Sequence, residues 1–234
     1  MNPNQTVKEL YRVATKLNNS KLPDKNLVVN ELNRLIYRIA HDVESGDIYN
    51  SQMTEQDRIE QDEILKSGDP EQAYNFARDV EGANIKALEQ VVIKFGDLKW
   101  ICWFAGNVKG ADTKAPEQIV LRSSNKGWAY WFACNIKGAN INALGQMVIK
   151  SGDPEYACWF ACNVKGADIK ALEQMIIEYG DPEWAYKFAF HVKGADIKAL
   201  EQVVIRSGDP EWAYNFAQYV EGADVKALEQ IYKH

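Results

Sequence analysis

Long apolar runs are missing from this sequence. Stretches such as Trp100–Ala105 end far short of the about 20 residues that a membrane-spanning helix needs. The opening Met1-Asn2-Pro3-Asn4-Gln5 has none of the apolar core of a secretion signal, so a cytoplasmic chain is expected. Histidine is scarce: His41, His191 and His234 are the only 3, they belong to distant segments, and none has a partner at metal-ligand spacing. The 4 cysteines (Cys102, Cys134, Cys158 and Cys162) suit reduced thiols better than a disulfide framework. Walker, Gly-x-Ser-x-Gly and Gly-x-Gly-x-x-Gly motifs are absent, so neither an enzyme nor a cofactor is expected. Surplus positive charge is missing too. With 27 Lys and Arg against 33 Asp and Glu, the net charge of −6 argues against a general nucleic-acid or anionic-membrane binder. What remains is an ordinary folded composition, 46% hydrophobic and 26% charged, which excludes long disordered stretches.

What the sequence does have is a repeat. Gly68-Asp69-Pro70, Gly152-Asp153-Pro154, Gly180-Asp181-Pro182 and Gly208-Asp209-Pro210 recur at 28 residues or a multiple of it. Gly96-Asp97-Leu98 and Ser124-Asn125-Lys126 fill the missing steps, so six units run 68–95, 96–123, 124–151, 152–179, 180–207 and 208–234. Each is punctuated as two short helices. In the fifth, Asp181 is an N-cap, Pro182 takes the first helical position, and helix A ends before Gly194. Asp196 then caps helix B, Ile197 to Arg206. Such a pair cannot bury its apolar face alone, so the units must stack. The expected fold is all-α, a right-handed α-solenoid of tandem two-helix repeats over 68–234. Residues 1–66 read as an N-terminal helical cap with a degenerate repeat, helical over Gln5 to Leu17 and Lys25 to Val43.

Comparing the repeats with one another separates framework from variable positions. Phe76, Phe104, Phe132, Phe160, Phe188 and Phe216 share one position on helix A, and at 100° per residue they head a core stripe. Trp100, Trp128, Tyr156, Trp184 and Trp212 flank it on one side, and Tyr74, Tyr130 and Tyr186 on the other. The two flanks are expected to meet across adjacent A helices. Opposite the stripe lies the face that diversifies, at the positions one before and two and three after each Phe. Three consecutive repeats place Trp and Asn one turn apart there: Trp103 with Asn107, Trp131 with Asn135, and Trp159 with Asn163. Arg78, Lys99, Lys187 and His191 complete the candidate groove, and Gly106, Cys134 and Cys162 leave room beside the indoles. The outer Lys86 and Gln90 positions of helix B hardly change and read as a solvated back. Cys158 and Cys162 are a turn apart, but zinc would need two more ligands, so no metal site is expected.

The Trp-x-x-x-Asn ladder resembles that of armadillo repeats in nuclear import adaptors, and the resemblance implies an extended peptide held between indoles and amides. The whole unit, Gly-Asp-Pro-Glu-Trp-Ala-Tyr through Lys-Gly-Ala-Asp-Ile-Lys-Ala-Leu-Glu-Gln, resembles tandem repeats of uncharacterised bacterial and bacteriophage proteins. That resemblance carries no established activity; a phage origin implies, by association, an inhibitor of a host defence protein.

Charge decides between partners. Repeats two and three carry seven Lys and Arg against three Asp and Glu, and repeats four to six eight against fourteen. The groove itself sets Arg78, Lys99 and Lys187 against Glu71, Asp79, Glu155, Glu183 and Glu211, a poor track for a phosphate backbone. A protein or extended peptide is the expected partner. Single-stranded nucleic acid or a nucleotide stacked on the Trp ladder, and a purely structural array, are the alternatives. Two departures fall beside the ladder: Pro116, expected to delay its helix by about one turn, and Gly145, which replaces a Glu.

Overall fold

The computed structural model describes residues 53–233, together with Val13. The remaining expected N-terminal helical residues lie outside these. Among the described residues there are helices and no strands: α1 (Glu55–Ser67), α2 (Pro70–Asp79), α3 (Ile85–Phe95), α4 (Leu98–Asn107), α5 (Lys114–Ser123), α6 (Lys126–Asn135), α7 (Ile141–Ser151), α8 (Pro154–Asn163), α9 (Ile169–Tyr179), α10 (Pro182–His191), α11 (Ile197–Ser207), α12 (Pro210–Tyr219) and α13 (Val225–Tyr232). The chain divides into two compact units, one of residues 1–63 and 79–84 and the other of 64–78 and 85–234. In the first, Thr54 and Asp57 form a capping box, each backbone N–H donating to the other's side chain at 2.8 and 3.1 Å.

The second unit is an α-solenoid. Helices α4, α6, α8, α10 and α12 pack side by side as one layer, α5, α7, α9, α11 and α13 as another, and each A helix packs on its own B helix. Between the layers lie Phe104, Phe132, Phe160, Phe188 and Phe216, all fully buried, with Leu144, Leu172, Leu200 and Leu228 facing them from helix B. Each repeat starts as its sequence dictates. Asp153, Asp181 and Asp209 accept from backbone N–H groups of the first turn, and the Pro after each occupies a position whose N–H needs no partner. The preceding residue must be left-handed, which Gly152, Gly180 and Gly208 adopt without strain and Ser124 adopts at φ 55°. Asn125 replaces the Asp cap of repeat three and accepts from the Trp128 N–H at 3.1 Å.

Pro116 acts less than expected. Helix α5 begins at Lys114, only one residue later than the equivalent position in its sister helices, rather than a turn later. Proline within the first turn removes only an N–H that has no intrahelical acceptor, and Asp112 caps the turn through Lys114 and Ala115.

A second ladder runs along the back of the array, and it was not evident from periodicity. The Glu of each Leu-Glu-Gln reaches the next repeat and accepts the backbone N–H of the residue that caps the following helix B. The rungs are Glu89 to Asp112 at 2.9 Å, Glu173 to Asp196 at 2.5 Å and Glu201 to Asp224 at 2.6 Å, and Glu117 to Asn140 is the fourth. Glu89, Glu173 and Glu201 are buried by this reach, and burial pushes the Glu89 and Glu173 carboxyls above their usual range against the pull of the bonded N–H. The residue in the Glu position of repeat three is Gly145, so no such rung reaches Asp168.

These raised values have a signed consequence. A carboxyl whose folded pKa lies above the unfolded 4.5 stabilises fully below 4.5 and loses that contribution as pH rises through the folded value. Glu89→Gln keeps the accepting oxygen and removes the buried charge, as Gln61 does where it accepts the Asn84 N–H at 2.7 Å. Urea melts at several pH values should therefore find this variant at least as stable as the parent at pH 7, with the difference shrinking toward pH 4. Glu89→Ala, which removes the rung, should lose about 1 kcal/mol at either pH.

Candidate functional site

The A helices turn their diversified face away from helix B, and the outward residues stand at helical spacing on α4, α6 and α8. Asn107, Asn135 and Asn163 are exposed, Trp103 and Trp131 half-buried, and Trp159 is 42% exposed. The face is thus neither a sealed inner core nor a row of free indoles.

The indoles are held by two sets of contacts. On its own helix each meets the aromatic three residues earlier, edge to face: Trp100 with Trp103 at 5.5 Å, Trp128 with Trp131 at 5.8 Å, and Tyr156 with Trp159 at 5.1 Å. Across the repeat boundary, Trp103 leans on Tyr74 at 6.1 Å and Trp159 on Tyr130 at 6.1 Å. Trp131 faces a small residue instead. A Cβ on Gly106 would stand 3.0 Å from its Cη2, so the indole of repeat three fills the space beside the backbone of repeat two. This corrects the expectation that Gly106 leaves room for a ligand: the neighbouring repeat already uses it. The expected meeting of flanks is observed at Tyr74–Trp100, Tyr130–Tyr156 and Tyr186–Trp212, with centroids 5.8, 6.3 and 5.7 Å apart.

The amides are also partly committed. Asn107, Asn135 and Asn163 each donate from Nδ2 to the backbone carbonyl of their own Trp, at 3.0, 2.7 and 2.9 Å. That bond adds a second donor to a carbonyl that already accepts within the helix, and it holds the amide in a fixed orientation. An array of fixed amides remains, each with an outward oxygen able to accept from a ligand N–H.

Every cation of the expected site lies over a ring. Arg78 sits 5.2 Å from the Tyr74 centroid, Lys99 4.4 Å from Trp100 and 4.7 Å from Trp103, and Lys187 4.3 Å from Trp184. Lys126, which joins them, lies over Tyr156 at 5.5 Å and bridges to Asp153 at 2.5 Å, tying repeat three to repeat four. Lys187 also bonds Glu183 at 2.5 Å. These placements occupy ring faces that a base would need for stacking. His191 meets Phe190 edge to face at 4.8 Å.

The four thiols are free. Burial pushes Cys102 and Cys158 up to about 12, and Cys134 and Cys162 are raised by the same cause. Among the described residues, no three His, Cys, Asp or Glu side chains converge to hold a metal ion. No helix there is long and apolar enough to cross a membrane.

Sequence reasoning gave too little weight to the far end of the face, where Phe190 is 49% and Tyr219 55% exposed. The signal was present: both occupy diversified positions in repeats that lack the Trp-Asn pair. Comparison of the chain with protein-family models, curated proteins and solved structures finds no match.

Proposed function

We propose that this chain is a non-catalytic binding protein whose A helices present a groove to an extended peptide or protein segment. The observation that carries this reading is the contrast between a framework repeated six times and one outward face that varies along the array, from Asn75, Arg78 and Asp79 through the three Trp-Asn repeats to Asn215, Gln218 and Tyr219. Solenoids diversify the surface they use for recognition and keep the surface they use for stacking. Fixed amides with outward oxygens suit the N–H groups of an extended chain, and half-buried indoles beside them form walls for its side chains. None of the thiols is shifted toward the reactive thiolate, which supports a role without covalent chemistry. The cations resting on Trp100, Trp103 and Trp184 weigh against single-stranded nucleic acid. Within the favoured class, the resemblance of the repeats to bacterial and bacteriophage sequences makes inhibition of a host defence protein the first role to test.

Selection from a displayed random-peptide library on the full chain tests the groove. The enriched peptides should lose ~2–4 kcal/mol of affinity on Trp159→Ala and ~1–2 kcal/mol on Asn163→Ala. Enrichment of nothing, or of peptides indifferent to both substitutions, defeats the reading.

A further inference from the structure

The groove contains two kinds of ring. Tyr74, Trp100, Trp103, Tyr156 and Trp184 are each overlain by a cation of this chain. Trp159, Phe190 and Tyr219 stand on the adjacent helices α8, α10 and α12, are 42 to 55% exposed, and among the described residues have no cation over them. The same helices open with Glu155, Glu183 and Glu211. Glu183 is engaged by Lys187, but Glu155 and Glu211 are exposed, and among the described residues no cation lies within 4.0 Å of either. Glu155 precedes Trp159 by one helical turn, and Glu211 precedes Tyr219 by two. Repeats four to six, which carry this surface, hold fourteen acidic residues against eight basic ones.

We infer that the segment bound by this half of the groove is cationic, an extended stretch of protein with Arg side chains that seat on Trp159, Phe190 and Tyr219 against Glu155 and Glu211. The inference deepens the peptide-groove reading and rests on it. The chain shows the chemistry upon itself, since Arg78, Lys99, Lys126 and Lys187 take this position over its own rings. An outside cation over an exposed ring gains the same attraction to the ring face, and a carboxylate nearby supplies the counter-charge. Arg suits the site better than Lys: its planar guanidinium stacks on a ring while its edge remains free to donate to a carboxylate. Adjacent helices lie about 8–10 Å apart, and a chain in the extended polyproline II form returns every third side chain to one face at about that distance, so one Arg in three matches successive rings. An acidic segment or a phosphate backbone meets the same carboxylates as repulsion.

The test uses the full chain and three synthetic peptides about ten residues long, with Arg, Glu or Ser at every third position and small residues between. Titration calorimetry should find the Arg peptide bound at least ~10-fold more tightly than the Ser peptide and the Glu peptide not bound. Trp159→Leu, Glu155→Gln and Glu211→Gln should each weaken the Arg peptide by about threefold to tenfold with melting temperatures unchanged. Lys170→Ala, on helix B, should leave it unaffected. Equal binding of the Ser and Arg peptides leaves the groove standing and overturns the cationic assignment, as does an oligo-dT of similar length that binds more tightly than either. An Arg peptide whose affinity ignores Trp159 and Glu155 overturns it too. If no peptide binds and library selection also enriches nothing, the groove falls with it.

Discussion

Phe160→Ala should remove about 3–5 kcal/mol of stability and split the melting transition in two. The ring is fully buried at the centre of the array. Its Cε1 lies 3.3 Å from where a Cβ on Gly145 would stand, so it seals repeat four against helix B of repeat three. That boundary is already the one without a Glu rung, because Gly145 has no side chain to reach Asp168. In a solenoid, coupling between halves resides in nearest-neighbour interfaces. Loss of the ring where the rung is absent therefore weakens the apolar packing between the halves and shifts more of their coupling onto the Lys126–Asp153 bridge and the Tyr130–Tyr156–Trp159 contacts. Calorimetry should resolve two transitions, with hydrogen exchange fastest in α7 and α9. A single transition at the parent temperature would show that the Phe stripe does not couple the repeats.

Trp131→Ala should cost about 2–3 kcal/mol of stability, and Trp159→Ala about 1 kcal/mol or less. From spacing alone the two are equivalent, both one residue before the core Phe. The structure separates them. Trp131 is half-buried, seated over Gly106 and edge to face with Trp128, and Alaˈs methyl would leave that seat empty. Trp159 is 42% exposed and leans on Tyr130 at the rim. Chemical denaturation of both variants measures the contrast. Equal losses would mean that Trp131 does not bridge repeats two and three. The difference also makes Trp159 the better probe of the proposed groove, since its removal should disturb the fold less than that of Trp131.

The order of helices, their caps and the identity of the core stripe were legible in the 28-residue period, because those properties are local. An Asp followed by Pro starts a helix wherever it stands, a left-handed Gly ends one, and a Phe stripe at helical spacing must be covered by its neighbours. What the period could not show was where long side chains end up once the repeats are stacked. Glu89 and Gln90 look alike as polar residues of helix B, yet one is buried as the acceptor of the Asp112 N–H and the other faces solvent. Asn107, Asn135 and Asn163 turn one donor back onto their own helix, and Lys99, Lys126 and Lys187 fold over rings that spacing alone left bare. Each of these outcomes depends on a partner one turn or one repeat away, at a distance that only the packing of adjacent helices sets. Spacing along the chain therefore decided the framework. Contact between repeats decided which indoles are half-buried, which rings carry a cation, and where the Glu ladder is broken.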